Sequence, residues 1–474
     1  MKRFLSRVLP LLLSFGLILN CTGCSTVLVL AGKARENSEA SSSVISESSA
    51  SSGVISTPVP TEDGDLRAFY TDVANAESVT VMVYMIGSDL ESEDGSATDD
   101  LLEMADAALS ENVHLVLQTG GTETWWNDVC TDDESERFVI ENGDMTLLQS
   151  LGSMNMTDAD TLSDFIRFSA ESYPADRYEL ILWDHGGGTM TGFGYDELYE
   201  DTSLTLSSLS TALYNGGVQF DFIGFDACLM ATAEVAYALD PYADYLIASE
   251  ESEPGEGWAY KNWLTMLAED PAVPTAELGK KLADDFLEAY IFADMPTLSV
   301  LDLRYVPELY AALESYWESA YTALQNGSYG ALSQVRSHVR EFGDNEYDQV
   351  DLSDLTVQTK LELPLGTADD VQAAVQNMVV YNVTYEKSAA GIAVYFPCLW
   401  PDYYGDTRFE MTCVGFPESY FEFYDKFMNT MLSGQSLSQS DIDFYSYYDW
   451  FDFSEVGGEN VTTINDNDFE LIDK

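Results

Sequence analysis

Short, almost uninterrupted apolar runs, each followed by a stretch of helical periodicity, constrain this chain more than any other feature. Val79-Thr-Val-Met-Val-Tyr-Met-Ile86 is the first. Val113 to Gln118, Tyr178 to Asp184, Phe220 to Phe225 and Tyr245 to Ser249 follow. Runs this apolar suit strands buried on both faces, as parallel sheets require. Between them, Asp99 to Ser110, Thr157 to Ser172, Ser203 to Tyr214 and Met230 to Leu239 read as helices. Strands alternating with helices predict an α/β fold, a mostly parallel sheet with helices on both faces. From about Pro274 the pattern changes. Ala276 to Ala293, Val306 to Asn326 and Glu418 to Leu432 carry helical periodicity. A smaller, mainly helical C-terminal part is expected, with a late strand, Gly391 to Phe396, completing the fold before Pro397.

The ends of the chain read differently. Lys2, Arg3 and Arg7 precede an apolar stretch, Leu9 to Leu19, that is too short to span a bilayer comfortably. This is the pattern of an export signal. Cys21-Thr-Gly-Cys24-Ser25 follows it and resembles a bacterial lipoprotein box, apart from Cys21 where Leu is usual. The expected organisation is a signal over residues 1–24 with Cys24 lipidated, and a Ser/Glu-rich tether over 25–67. An α/β domain over 68–270, the helical region over 271–435 and an acidic, aromatic tail over 436–474 complete it. The protein is expected on the outer face of a bacterial cell membrane, held through a lipid anchor, or secreted if Cys24 is not acylated.

Charge excludes one class of partner. The 82 acidic and 20 basic residues give a formal net charge of −62, so nucleic acid is not expected to bind. Such a field favours solubility and draws in cationic ligands. Locally the pattern is sharper, because no Lys or Arg occurs between Arg177 and Lys261.

That cation-free stretch carries the candidate chemistry. His185 ends one apolar run and is followed by Gly186-Gly187-Gly188; Cys228 ends another and is followed by Leu229-Met230. Loops at the carboxyl ends of parallel strands form the ligand crevice of an open sheet. Two such ends can bring a thiol and an imidazole together, the minimum for a cysteine nucleophile with a histidine partner. A cysteine between strand and helix also stands where a helix N-terminus favours the thiolate. A lone cysteine at a strand end is more often a small core residue, so the pairing with His185 carries the reading. Asp184 adjoins His185, but neighbours on a strand face opposite ways, so it reads as a strand-end carboxylate. Asp226 reads by itself as a cap for the following helix. Of the remaining cysteines, Cys398 and Cys413 could pair in an exported protein; Cys130 has no assigned partner. No metal-type cysteine spacing occurs in the body.

The segments resemble the clostripain family of cysteine peptidases, in the clan that also holds caspases, legumains and gingipains. The matching stretches include Val81 to Met85, Thr161 to Phe165, Tyr173 to Arg177, Ile181-Leu-Trp-Asp-His-Gly186, Phe225-Asp-Ala-Cys-Leu-Met230, Glu253 to Trp258 and Gly391 to Pro397. The resemblance implies a caspase-like fold and an endopeptidase acting as a monomer on peptides or proteins with basic residues. It implies Cys228 as nucleophile, His185 as acid–base residue, and backbone N–H groups of Gly186 and Cys228 as the oxyanion site. It places Asp226, and less securely Glu256, in the pocket for a substrate Arg or Lys. No third catalytic residue and no required cofactor are assigned. Calcium activation is implied as possible, with Asp196, Glu197, Glu200 and Asp201 as candidate oxygen donors, although their spacing is not that of a calcium loop. Relatives that mature by cutting themselves do so between the His and the Cys; here that interval lacks Lys and Arg. Self-processing is therefore expected at Lys33, Arg35, Arg67 or Arg137. The rival expectation is a catalytically silent peptide-binding or adhesion lipoprotein on the same fold.

Overall fold

A computed structural model describes residues 66–199, 202–290, 296–385 and 387–433. The signal, Cys24, the tether before residue 66 and the acidic tail lie outside the described residues.

A nine-stranded sheet organises the molecule. Its strands are β1 (Val79–Ile86), β2 (Val113–Gly120), β3 (Ser135–Glu141), β4 (Asp144–Gly152), β5 (Arg177–Trp183), β6 (Phe220–Asp226), β7 (Ala243–Ala248), β8 (Thr297–Asp302) and β10 (Val379–Thr384). They lie in the order β10-β8-β7-β6-β5-β1-β2-β3-β4. The five central strands are parallel, and antiparallel strands flank them on each side. The alternation along β1 explains its composition. Met82, Tyr84 and Ile86 enter one core, while Val79, Val81, Val83 and Met85 enter the core on the other face. A strand covered on both faces leaves little room for polar side chains, hence the nearly unbroken apolar run; Thr80, buried within it, donates its hydroxyl to the Tyr173 carbonyl.

The helical C-terminal part is not a separate core. Trp317, Phe396, Tyr420, Tyr424 and Phe427 join the same buried cluster as Leu180, Leu182 and Phe225. Trp317 and Phe396 meet edge to face with centroids 6.0 Å apart, a preferred aromatic geometry.

The expected late strand is present as β11 (Ala393–Tyr395), outside the large sheet. It pairs with β9 (Gln349–Asp351) in a sheet of its own, and β8 and β10 extend the main sheet instead. The helix after Cys228 begins at Ala233, not Met230, because the Thr232 side chain accepts the Val235 N–H as its cap. Cys228 is therefore not at a helix N-terminus. Cys398 and Cys413 do not pair, and none of Cys130, Cys228, Cys398 and Cys413 forms a disulfide. Among the described residues no helix is long and apolar enough to cross a membrane.

Candidate active site

Strand order reverses around β1, whose neighbours are β5 on one side and β2 on the other. Crevices at the carboxyl ends of strands, at such a reversal, are where open α/β sheets bind ligands. His185 follows β5, Cys228 follows β6, and Asp89 follows β1. The parallel register of Trp183 with Asp226, extended by a bond from the Asp184 N–H to the Asp226 carbonyl, carries the two candidate residues out of the sheet together.

The backbone just after His185 passes close to that of Cys228. A β-carbon added at Gly186 would lie 2.0 Å from the Cys228 carbonyl oxygen, so only glycine fits. The hairpin after His185 is closed by N–H groups of Gly187 and Gly194, bonded to the carbonyls of Gly192 and His185. Gly186 spends no N–H in that pairing. Leu229 turns the chain sharply after Cys228 in the left-handed region, at φ 67°. The Glu251 carbonyl accepts its N–H, and its own carbonyl accepts from Gln349. A non-glycine residue is strained there and persists only where its surroundings hold it. The Cys228 thiol is nearly buried, and its sulfur accepts the Glu253 N–H at 3.2 Å.

The imidazole has a partner that the sequence did not reveal. His185 Nε2 lies 2.6 Å from Asp89 Oδ1. Burial alone would lower the histidine pKa, but the Asp89 bond and the charges of Asp184, Asp89 and Cys228 outweigh it and raise it to about 9. Burial in turn opposes ionisation of Asp89, yet the His185 bond holds its carboxyl below its ordinary value. Asp184 faces elsewhere, as strand alternation requires: it accepts the Tyr195 N–H, and burial pushes its pKa up to about 7.

Beside this pair lies a buried acidic cluster. Asp226 Oδ2 accepts the Trp258 N–H at 3.0 Å and the Tyr260 hydroxyl at 2.7 Å. Glu253 accepts the Trp258 indole N–H, and Asp100 accepts that of Trp183. These donors are all neutral. Gly257, at φ 69°, lets the carboxyls converge: a β-carbon there would lie 2.4 Å from Asp100 and 3.1 Å from Asp226. Burial pushes Asp226 up to about 7. Burial, then repulsion from Asp226, drives Glu253 and Asp100 further upward. Carboxyls this close cannot all ionise. Asp226 does not cap the following helix, a role Thr232 fills. Glu256 is exposed on the loop beside the cluster, whereas Glu253 and Asp100 are the buried acids that sequence reasoning missed.

Of the suggested calcium donors, Asp196 and Glu197 are described. Asp196 accepts backbone N–H groups of Met156 and Leu198. Glu197 accepts from Ser92, Thr122 and Glu123. Glu200 and Asp201 lie outside the described residues. Among the described residues no group of three or more His, Cys, Asp or Glu is arranged to hold a metal.

The clostripain family model matches residues 83–450. Clostripain from Hathewaya histolytica is 35% identical over 123 residues, which are 22% of this chain and 23% of that protein. The chain thus aligns with about a quarter of that relative's length. Among solved structures, a secreted C11 cysteine protease from Bacteroides thetaiotaomicron bound to an irreversible peptide inhibitor shares 18% identity. Its TM-score is 0.54, and the match covers 72% of this chain and 99% of that one. An inactive zymogen C11 protease from Parabacteroides distasonis shares 21% identity at a TM-score of 0.55, covering 74% and 99%.

Proposed function

Since the chain belongs to the clostripain family, we propose that it is an exported cysteine endopeptidase that cuts peptide bonds after Arg or Lys using Cys228 and His185. The observation that carries this reading is the contact of the His185–Gly186 backbone with Cys228 beside a buried acidic pocket. Cys228, its thiol proton released to the imidazole or to water, attacks the scissile carbonyl as a thiolate, and water later cleaves the resulting thioester to free the enzyme. His185, protonated at neutral pH, donates its proton to the leaving amine. The N–H groups of Gly186 and Cys228 receive the developing oxyanion, as preorganised donors do. A substrate guanidinium or ammonium enters the pocket of Asp226, Glu253 and Asp100, displaces the shared protons and pairs with the carboxylates.

Export rests on the signal-like N-terminus and is supported by relatives described as secreted proteases. Anchoring through acylated Cys24 is part of the proposal, with residues 25–67 as the tether. A peptide-library cleavage profile of the mature chain tests the reading. Cuts confined to bonds after Arg and Lys, and absent from Cys228→Ala, are expected. Cleavage without regard to a basic residue would refute the pocket, and no cleavage by the folded chain would refute the activity.

A further inference from the structure

Asp89 lies outside the proposed Cys-His pair. It follows β1 on the short helix Ser88–Ser92, at a third strand end of the same crevice. Ser88, immediately before it, is fully buried and held at φ 49°. A serine in the left-handed region is strained, and such strain persists where neighbouring structure imposes it. Here the turn swings the next side chain back over the sheet. The helix itself is fixed from outside: Glu91 accepts from Thr98 and from the Trp126 backbone, while Ser92 bonds Glu197. Asp89 is thus delivered to His185 Nε2 at 2.6 Å by a rigid mount.

We infer that Asp89 is the positioning residue of this site, holding the His185 Nε2–H so that Nδ1 faces the scissile bond. The inference rests on the proposed catalytic role of His185. A histidine ring has two distinct nitrogens, and the bond made by one fixes what the other can do. With Nε2–H committed to Asp89, the proton given to the leaving amine departs from Nδ1, and the resulting neutral ring retains its proton on Nε2. Of the other groups near the imidazole, Asp184 accepts the Tyr195 N–H through Oδ2 and acts on the ring by its charge alone, the Tyr195 ring lies with its centroid 6.3 Å away, and Cys228 is the thiol to be activated. Asp89 alone among these carboxylates makes the bond.

The test reads the imidazole directly. The chain has only three histidines, His114, His185 and His338, so 15N-histidine NMR of the full chain carrying Cys228→Ala resolves His185 without any turnover. Titrating near pH 9 with Asp89 in place, and at least one pH unit lower in Asp89→Asn, is the expected result. In the active chain, Asp89→Asn should lower kcat by roughly 10²- to 10⁴-fold, the range for a lost histidine-orienting carboxylate, with KM little changed. The alkaline limb of its pH–rate profile should move toward acid, and Asp89→Glu should recover part of both effects. An unchanged His185 titration in Asp89→Asn would overturn the inference, even if activity fell. A moved titration in a chain that cleaves nothing would leave Asp89 in place and refute the proposed activity instead.

Discussion

Replacing Asp226 with Asn should make the protein more stable at alkaline pH while removing its preference for basic substrates. The side chains are nearly isosteric, and the amide oxygen can still accept the Trp258 N–H and Tyr260 hydroxyl. What is lost is a charge. Asp226 titrates at about 7 in the folded protein against 3.8 ordinarily. A group whose folded pKa is raised contributes stability that is fully present below the unfolded value and is lost as pH rises through the folded one. At 1.36 kcal/mol per pH unit, the parent should lose up to about 4 kcal/mol between pH 4 and 7 from this group. That is a ceiling, because Glu253 and Asp100 share the proton. Asn has no such term. Urea unfolding at pH 5 and pH 8 measures it: the gap between variant and parent should shift in the variant's favour on going to pH 8. The same variant should lose roughly 2–5 kcal/mol of transition-state binding to Arg substrates, a fall in kcat/KM of roughly 30-fold to several thousand-fold. A variant that unfolds more easily at pH 8 than at pH 5 relative to the parent, yet cuts Arg substrates normally, would refute the proton-holding pocket.

Two further outcomes follow from the same geometry. Gly186→Ala should abolish cleavage with the sheet intact, since its β-carbon would meet the Cys228 carbonyl at 2.0 Å; normal kcat in a folded variant, checked by circular dichroism, would contradict the apposition. Active enzyme should stay uncut between His185 and Cys228, where no Lys or Arg occurs. Arg137, buried and bonded to Gln118 and Asp164, and Arg67, bonded to Asp240 and Asp244, are poor cleavage sites in the folded body. Exposed Lys387, in a turn, is the better one. Mass spectrometry beside Cys228→Ala checks both statements, and a Cys228-dependent cut between Gly186 and Ala227 would sink the first.

The central strands were legible because burial on both faces leaves a physical record, an apolar run ending where the crevice begins. β1 was placed at Val79–Ile86 from that record alone. The β3–β4 hairpin was not read, because β4 is a largely exposed edge with no clean alternation. Its signal was nonetheless present in Asn142-Gly143, both at positive φ, the residues a two-residue hairpin turn demands. β8 and β10 were missed because six-residue strands inside a helical region resemble helix segments. Cys228 and His185 could be singled out because each follows a recognisable strand, while Gly186 and Asp226 came from the resemblance to the clostripain family. Asp89, Glu253 and Asp100 could not be named. Each is one carboxylate among 82 acidic residues, and only the fold brings them to the thiol, the imidazole and the pocket.

The most direct measurement treats the mature chain with an electrophilic peptide ending in Arg and locates the adduct by mass spectrometry. The account predicts one adduct, on Cys228. It should be absent from Cys228→Ala and strongly slowed in Asp226→Asn. Modification of Cys130, Cys398 or Cys413 instead, or Arg-directed cleavage that survives in folded Cys228→Ala, would contradict it.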